Sequence, residues 1–207
     1  MFIAVDGIDG SGKSTLVRGI AALLEPFRPL TTKEPTDASF WGRRLRASAR
    51  EGRLPRATEI EFFHKDRLQH IAEVIKPALE SGRIVITDRY VDSTLAFQAC
   101  SPKDADVLYE RSLRKDILCP DVTMILQCAV SEGLRRLQLR DKGFLSAFED
   151  NEAQRRAEEI YGTRSGAHYR FIDASGTEDD TLRQAVDVLK ECFKSRPDIV
   201  DHLEQRR

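Results

Sequence analysis

Gly7-Ile-Asp-Gly-Ser-Gly12-Lys13-Ser14 sets three glycines, a lysine and a hydroxyl in the spacing Gly-x-x-x-x-Gly-Lys-Ser. Each residue type has a chemical reason. Gly7, Gly10 and Gly12 let the backbone turn tightly, so that the N–H groups around Asp9 and Ser11 can converge on one phosphate with no Cβ in the way. Lys13 supplies a point charge for a transferring phosphate, and the Ser14 hydroxyl is placed to ligate Mg²⁺. The apolar run Phe2 to Val5 reads as a buried strand before this loop. Thr15 to Leu24, with apolar residues at 16, 17, 20, 23 and 24, reads as a helix after it. The helix N-terminus adds its dipole to the anion site. A glycine-rich turn that binds nothing is the competing reading. A strand before and a helix after favour a nucleoside triphosphate site.

Ile84-Val-Ile-Thr-Asp88 fits the second half of such a site, an apolar strand presenting an acid to the cation held by Ser14. A helix cap or a strand-end ion pair is the alternative for Asp88. Arg89 follows at once, and an acid for metal beside an arginine for phosphate suits a meeting point of two phosphorylated substrates. A second cationic cluster holds Arg135, Arg136, Arg140 and Lys142, with Arg136 and Arg140 one helical turn apart. It reads either as a lid over about residues 135–150 or as a solvated helix face. Arg43, Arg46, Arg50 and Arg53 fall on one helical stripe, of which one member could reach an acceptor phosphate. No Asn-Lys-x-Asp string is present, which argues against a GTPase switch.

Short apolar segments at 2–5, 30–35, 83–88, 120–128 and 169–173 alternate with helical ones. That pattern predicts an α/β fold, a five-stranded parallel sheet with helices on both faces. Ligands of such sheets bind beyond the carboxyl ends of the strands, so the glycine loop, Lys33-Glu34-Pro35, Asp88-Arg89-Tyr90 and Asp173-Ala-Ser175 gather along one edge. A long helix is expected over 57–81, kinked before Pro77. One domain over 1–194 is expected, with a frayed tail over 195–207. The chain of 207 residues is 41% hydrophobic and 32% charged, enough for a sizeable core. Its net charge of −1 gives no global field for nucleic acid. Neither a membrane span nor a secretion signal is visible, so a cytoplasmic protein is expected. Cys100, Cys119, Cys128 and Cys192 have no paired spacing and read as buried, reduced thiols; His64, His70, His168 and His202 read as structural or surface groups.

Taken in order, the segments from Phe2 to about residue 190 resemble the thymidylate (dTMP) kinase family. The resemblance rests on the glycine loop, Thr32-Lys-Glu-Pro35, Phe63-His-Lys-Asp-Arg67, Asp88-Arg-Tyr-Val-Asp-Ser-Thr-Leu-Ala-Phe-Gln98, Pro120-Asp-Val-Thr123 and Phe171-Ile-Asp-Ala-Ser175. It implies transfer of the ATP γ-phosphate to dTMP, with Mg²⁺ and a homodimer. Phe63 would then stack on thymine, and Arg67 would hydrogen-bond its carbonyl. Ser93, Thr94 and Gln98 would line the base pocket, with Phe97 against the 2′ side of the sugar. Asp9 would hold the 3′-hydroxyl, and Arg89 with Arg46 the acceptor phosphate. The Glu34-Pro35 turn would shape that pocket, and Asp173-Ala-Ser175 with a lid arginine would flank adenine. An aromatic at 63 and a donor at 67 are one turn apart, so both can face one planar base. Core packing is the alternative for Phe62, Phe63 and Phe97.

Three positions depart from the family pattern. Ser146-Ala-Phe-Glu149 stands where lids of this family often carry Asp-Arg-x-Glu, Gly10 where some members place an arginine, and Phe97 where many have tyrosine. The catalytic cation of the lid would then be Arg136, Arg140 or Lys142. A kinase for another deoxynucleotide or a nucleoside, and a non-catalytic nucleotide-binding regulator, are the rival readings.

Overall fold

The structure, a computed structural model, describes residues 1–113, 117–140 and 151–205, with the side chains of Arg50, Ser112, Leu113 and Arg140 excepted. Strand β1 (Phe2–Gly7) is buried along its whole length, as a near-continuous apolar run requires of a strand covered on both faces. The pleat divides it. Phe2 and Ala4 pack with Ile71, Ile75 and Tyr90, while Ile3 and Val5 join the larger cluster that contains Leu16, Val17 and Ile20. With β2 (Leu30–Lys33), β3 (Val85–Asp88), β4 (Val122–Gln127) and β5 (Tyr169–Asp173), it forms a five-stranded parallel sheet in the order β2-β3-β1-β4-β5. This is the expected fold class. The chain builds the sheet to one side of β1 and then to the other, so the carboxyl end of β1 is where a ligand crevice opens.

Helix α1 (Lys13–Leu23) leaves the loop directly after β1. Ser39 caps α2 (Phe40–Glu51), its Oγ accepting from Gly42 N at 2.7 Å. The expected long helix is three pieces: α3 (Arg56–His70), a π turn over Ile71–Ile75, and α4 (Lys76–Glu80). The break therefore precedes Pro77, which sits in the first turn of α4 where no N–H is needed. Arg53 lies beyond the α2 terminator Gly52 (φ 114°), so the arginine stripe ends before it. Then follow α5 (Val91–Gln98), α6 (Pro102–Leu113), α7 (Val130–Arg140), α8 (Asn151–Gly162) and α9 (Glu178–Cys192). Helix α1 packs on α9, and α5 packs on α8, α6 and α3.

The tail corrects its expectation. Pro197–Glu204 is a helix, α10, with Ile199 and Leu203 fully buried and His202 Nε2 bonded to Leu23 O at 2.8 Å. Apolar residues four apart give this short helix one face for the core, which the low overall apolar content of the segment concealed. Cys128 is buried, but Cys100 and Cys119 are exposed, so the buried-thiol expectation fails for those two. No helix among the described residues is long and apolar enough to cross a membrane.

Candidate active site

The glycine loop turns through positive φ at Gly7, Gly10 and Gly12 (142°, 75° and 98°). Gly10 has a further reason to lack a side chain, because a Cβ there would stand 2.0 Å from the Gly133 carbonyl oxygen of α7. An arginine at position 10 is therefore excluded by the packing of this chain. Gly12 starts α1 with no side-chain cap and no acid in the first turn. The first N–H groups of α1 are thus left to an anion. Around them opens a cleft of about 1140 Å³, lined by every residue from Asp9 to Leu16. Lys33, Asp88 and Arg136 also face it. So does the stretch Gly176–Asp179, which lies just past the Asp173–Ser175 turn expected to flank adenine. Thr177 caps α9 there through a reciprocal pair with Asp180.

Lys13 is buried, and its Nζ donates to Ile8 O at 2.6 Å. Burial, with the nearby Arg89 charge, pushes its ammonium down to about 8 against the opposing pull of Asp9, Asp88 and Asp6. Ser14 Oγ donates to Asp88 Oδ2, so the hydroxyl and the carboxylate stand side by side at the cleft. Arg136 donates through Nε to Glu132 at 2.7 Å and through Nη1 to Ala174 O at 3.1 Å, which ties α7 to the end of β5. The Arg140 side chain, Lys142 and the Ser146–Glu149 stretch lie outside the described residues.

A second cavity, of about 190 Å³, brings together Asp9, Glu34, Pro35, Arg46, Phe63, Arg67, Arg89, Ser93, Thr94, Phe97 and Gln98. Tyr90, expected along this edge, completes its wall together with Leu45 and Ala49, which were not foreseen. Arg67 is fully buried. It donates to Glu34 Oε2 (2.9 Å, Nε), and through Nη2 to Thr94 Oγ1 (2.9 Å) and Tyr90 O (3.1 Å). His70 continues this network between Glu34 (3.0 Å) and Thr32 Oγ1 (2.7 Å). Glu34 and Pro35 are joined by a cis peptide bond. Arg46 bonds Pro35 O and pairs with Asp37. Phe63 is half-buried in the wall, whereas its neighbour Phe62 turns to Trp41 (ring centroids 5.0 Å apart). Phe97 belongs both to the core and to the cavity, so its two readings are not exclusive.

Arg89 stands where the two spaces meet. It adopts a positive φ of 73°, an uncommon backbone state for a non-glycine residue. Its guanidinium pairs with Asp9, donates to Ser93 Oγ (3.0 Å) and lies 5.2 Å from the Phe97 ring centroid. Burial opposes its charge, but Asp9, Tyr161, Asp88 and Asp6 outweigh that and hold it far above its ordinary range. Asp9, Glu34, Arg46 and Arg89 line both the cleft and the smaller cavity.

Sequence reasoning missed Gln154. This fully buried residue of α8 clasps Asp9 twice, accepting from its N–H and donating to its Oδ2, both at 2.9 Å. One signal existed: Gln154 interrupts the face Ala153, Ala157, Ile160, Tyr161 of an otherwise regular amphipathic helix. It missed Asp6 as well. Asp6 is buried at the end of β1, its carboxyl raised by burial against hydrogen bonding from Ser93 and the charges of Arg89 and Lys13.

The sequence model of the family described as Thymidylate kinase matches residues 5–185. A thymidylate kinase of Xanthomonas campestris pv. campestris is 36% identical over 198 residues, covering 95% of this chain and 86% of the relative. A probable thymidylate kinase of Pyrobaculum calidifontis is also 36% identical, over 94% of this chain and 98% of its own length. A matched span that contains the glycine loop, the junction at Arg89 and both cavities makes the chain a member of the thymidylate kinase family.

Proposed function

We propose that the protein is an ATP-dependent dTMP kinase that forms dTDP, on the way to dTTP, by direct in-line transfer of the γ-phosphate. One observation carries the reading: a cleft built on a phosphate loop and a smaller aromatic-walled cavity share Asp9 and Arg89. A donor in one and an acceptor in the other would meet phosphate to phosphate. No covalent intermediate is needed, because this chemistry asks for positioning and charge neutralisation. Lys13 and the α1 N-terminus hold the donor phosphates. Arg89, helped by Arg46, exchanges its contact with Asp9 for the acceptor phosphate and aligns it. Asp9 is then available to the 3′-hydroxyl. Phe63 stacks on the base, and Arg67, with Nε and Nη2 committed to the protein, offers Nη1 to a base carbonyl. Phe97 closes the 2′ side of the sugar, and Arg136 is the described lid cation nearest the donor.

Ser14 and Asp88 fit Mg²⁺ through their paired oxygen donors. Among the described residues no group of three His, Cys, Asp or Glu could hold a metal. Mg²⁺ suits such a site, because it draws its remaining ligands from phosphate and water. When bound, it would neutralise charge on the donor phosphates. On the same reading the protein is a cytoplasmic homodimer, which sedimentation and fractionation would test.

An acceptor panel with ATP and Mg²⁺ decides the function. Rapid ATP consumption with dTMP, yielding dTDP, is expected. Preference for dCMP or for thymidine would replace the substrate, and turnover indifferent to every acceptor would leave only nucleotide binding.

A further inference from the structure

Gln98 lines the acceptor cavity and is buried, and its two amide ends differ. Nε2 donates to Glu59 Oε2 at 3.4 Å, while Oε1 is buried with no hydrogen-bond partner among the described residues. Glu59 is wholly buried in the first turn of α3 and is gripped by Arg53, through Nε at 3.1 Å and through Nη2 at 2.5 Å. Arg53 Nη2 also reaches Phe97 O at 3.5 Å, and Arg56 Nε binds Gln98 O, so the start of α3 and the segment before it fasten the end of α5.

A carboxylate is an acceptor only. Beside one, the amide has a single sensible orientation, nitrogen toward Glu59 and oxygen away from it. A buried acceptor without a partner costs free energy that a ligand N–H can return.

We propose that Glu59, held by Arg53, is a positioning residue for base selection: it fixes the Gln98 amide as an acceptor, so that the cavity takes pyrimidines with an imide N–H and rejects cytosine. Thymine and uracil carry a proton on N3. Cytosine presents a lone pair there, and two acceptors would face each other. The proposal rests on the nucleotide kinase reading and adds the device that selects the base. It leaves dUMP and dTMP equal on this contact, so their discrimination must come from the 5-methyl group.

The test compares dTMP with dCMP in the full-length protein, by kcat/KM with ATP and Mg²⁺ and by Kd from calorimetry without ATP. The unaltered protein should prefer dTMP by about a hundredfold or more. Glu59→Gln can donate or accept, so the Gln98 amide can turn round. The preference should fall about tenfold or more, through KM for dTMP, with kcat nearly kept. The exchange E59Q/Q98E restores a donor at 59 and an acceptor-only group at 98, and should recover most of the preference. An unchanged preference in E59Q, or a double variant no more selective than E59Q, overturns the proposal. If E59Q alone does not fold, the double variant decides: selectivity within about threefold of the unaltered protein supports the device, and its loss refutes it. Absence of turnover with dTMP in the unaltered protein would instead refute the kinase reading, while the Kd ratios still judge Glu59.

Discussion

The two cavities are built from different material. The phosphate-holding floor of the donor cleft is mostly main chain: three glycines at positive φ, the unclaimed N–H groups at the start of α1, and one buried lysine leaning on Ile8 O. The acceptor cavity is mostly side chain, its polar groups held in orientation by the Arg67–Glu34–His70 and Arg53–Glu59–Gln98 networks. A phosphate is the same in every nucleotide, and backbone amides suffice to hold it. A base must be told from other bases, which takes donors and acceptors fixed in orientation. The first task tolerates a local solution within a dozen residues, whereas the second gathers residues from α2, α3 and α5 and from the turns that follow β2 and β3.

The largest effects should come where the two halves touch. Arg89→Ala and Lys13→Ala should each lower kcat/KM by about a hundredfold or more. The difference between them sharpens the contrast: Arg89→Ala should raise KM for dTMP and spare KM for ATP, and Lys13→Ala the reverse. Equal effects on both substrates, measured by steady-state kinetics, would mean that the division of labour is wrong.

Next in size is Arg67→Ala. Arg67 and Glu34 are both nearly inaccessible (side chains 1% and 2% exposed), so the deletion removes the guanidinium from a buried carboxylate and leaves it His70 alone among the described residues. A loss of about 3–5 kcal/mol is expected, a fall in Tm of roughly 10 °C for a chain of this size. Arg89→Ala should cost far less stability, because Arg89 is partly exposed and its partner Asp9 keeps Gln154. Two arginines of one cavity thus divide into a framework residue and a working one, and thermal unfolding of the pair separates them.

Gly10→Ala probes the backbone half. The added Cβ would meet Gly133 O at 2.0 Å at a φ of 75°, so the loop and α7 must move apart. A cost of about 1–3 kcal/mol, with KM for ATP raised and KM for dTMP little changed, is the expected result. An acceptor defect of equal size would show that the loop is not a self-contained unit.

The same contrast governs what could be read from the chain before folding. The glycine loop, Asp88 and Arg89 are legible because phosphate chemistry dictates residue types at fixed spacing, and the alternation of apolar segments and helices was enough for the sheet. The residues around the acceptor cavity came mostly from family resemblance, since helical spacing links Phe63 to Arg67 but no local rule links that pair to Thr94 and Gln98. Gln154, Glu59 and Asp6 stayed hidden for a physical reason. Gln154 and Asp6 are single polar residues in apolar faces, with partners 145 and 87 residues away, whereas the buried residues of α3 are all polar, so Glu59 does not stand out among them and meets Gln98 across 39 residues. The helix at 197–204 was hidden by composition, because two buried residues four apart anchor a segment that is polar on average.

The smallest effect tests whether the halves are electrically joined. Lys13 lies at about 8 rather than 10.5, first because it is buried and second because Arg89 is near. Its ammonium is the form that neutralises phosphate, so kcat/KM for ATP should fall as pH rises through about 8. The corresponding limb in kcat should lie higher, since bound phosphate favours the charged form. For stability the sign is opposite. The unfolded chain binds more protons at this lysine between about 8 and 10.5, so stability should rise with pH across that window, and Lys13→Met should abolish that share of the slope. Replacing Arg89 by alanine removes a like charge, so the limb of the residual kcat/KM should move to higher pH. A limb that stays at about 8 in Arg89→Ala would mean that burial alone sets the lysine, and that the acceptor arginine does not tune the donor side.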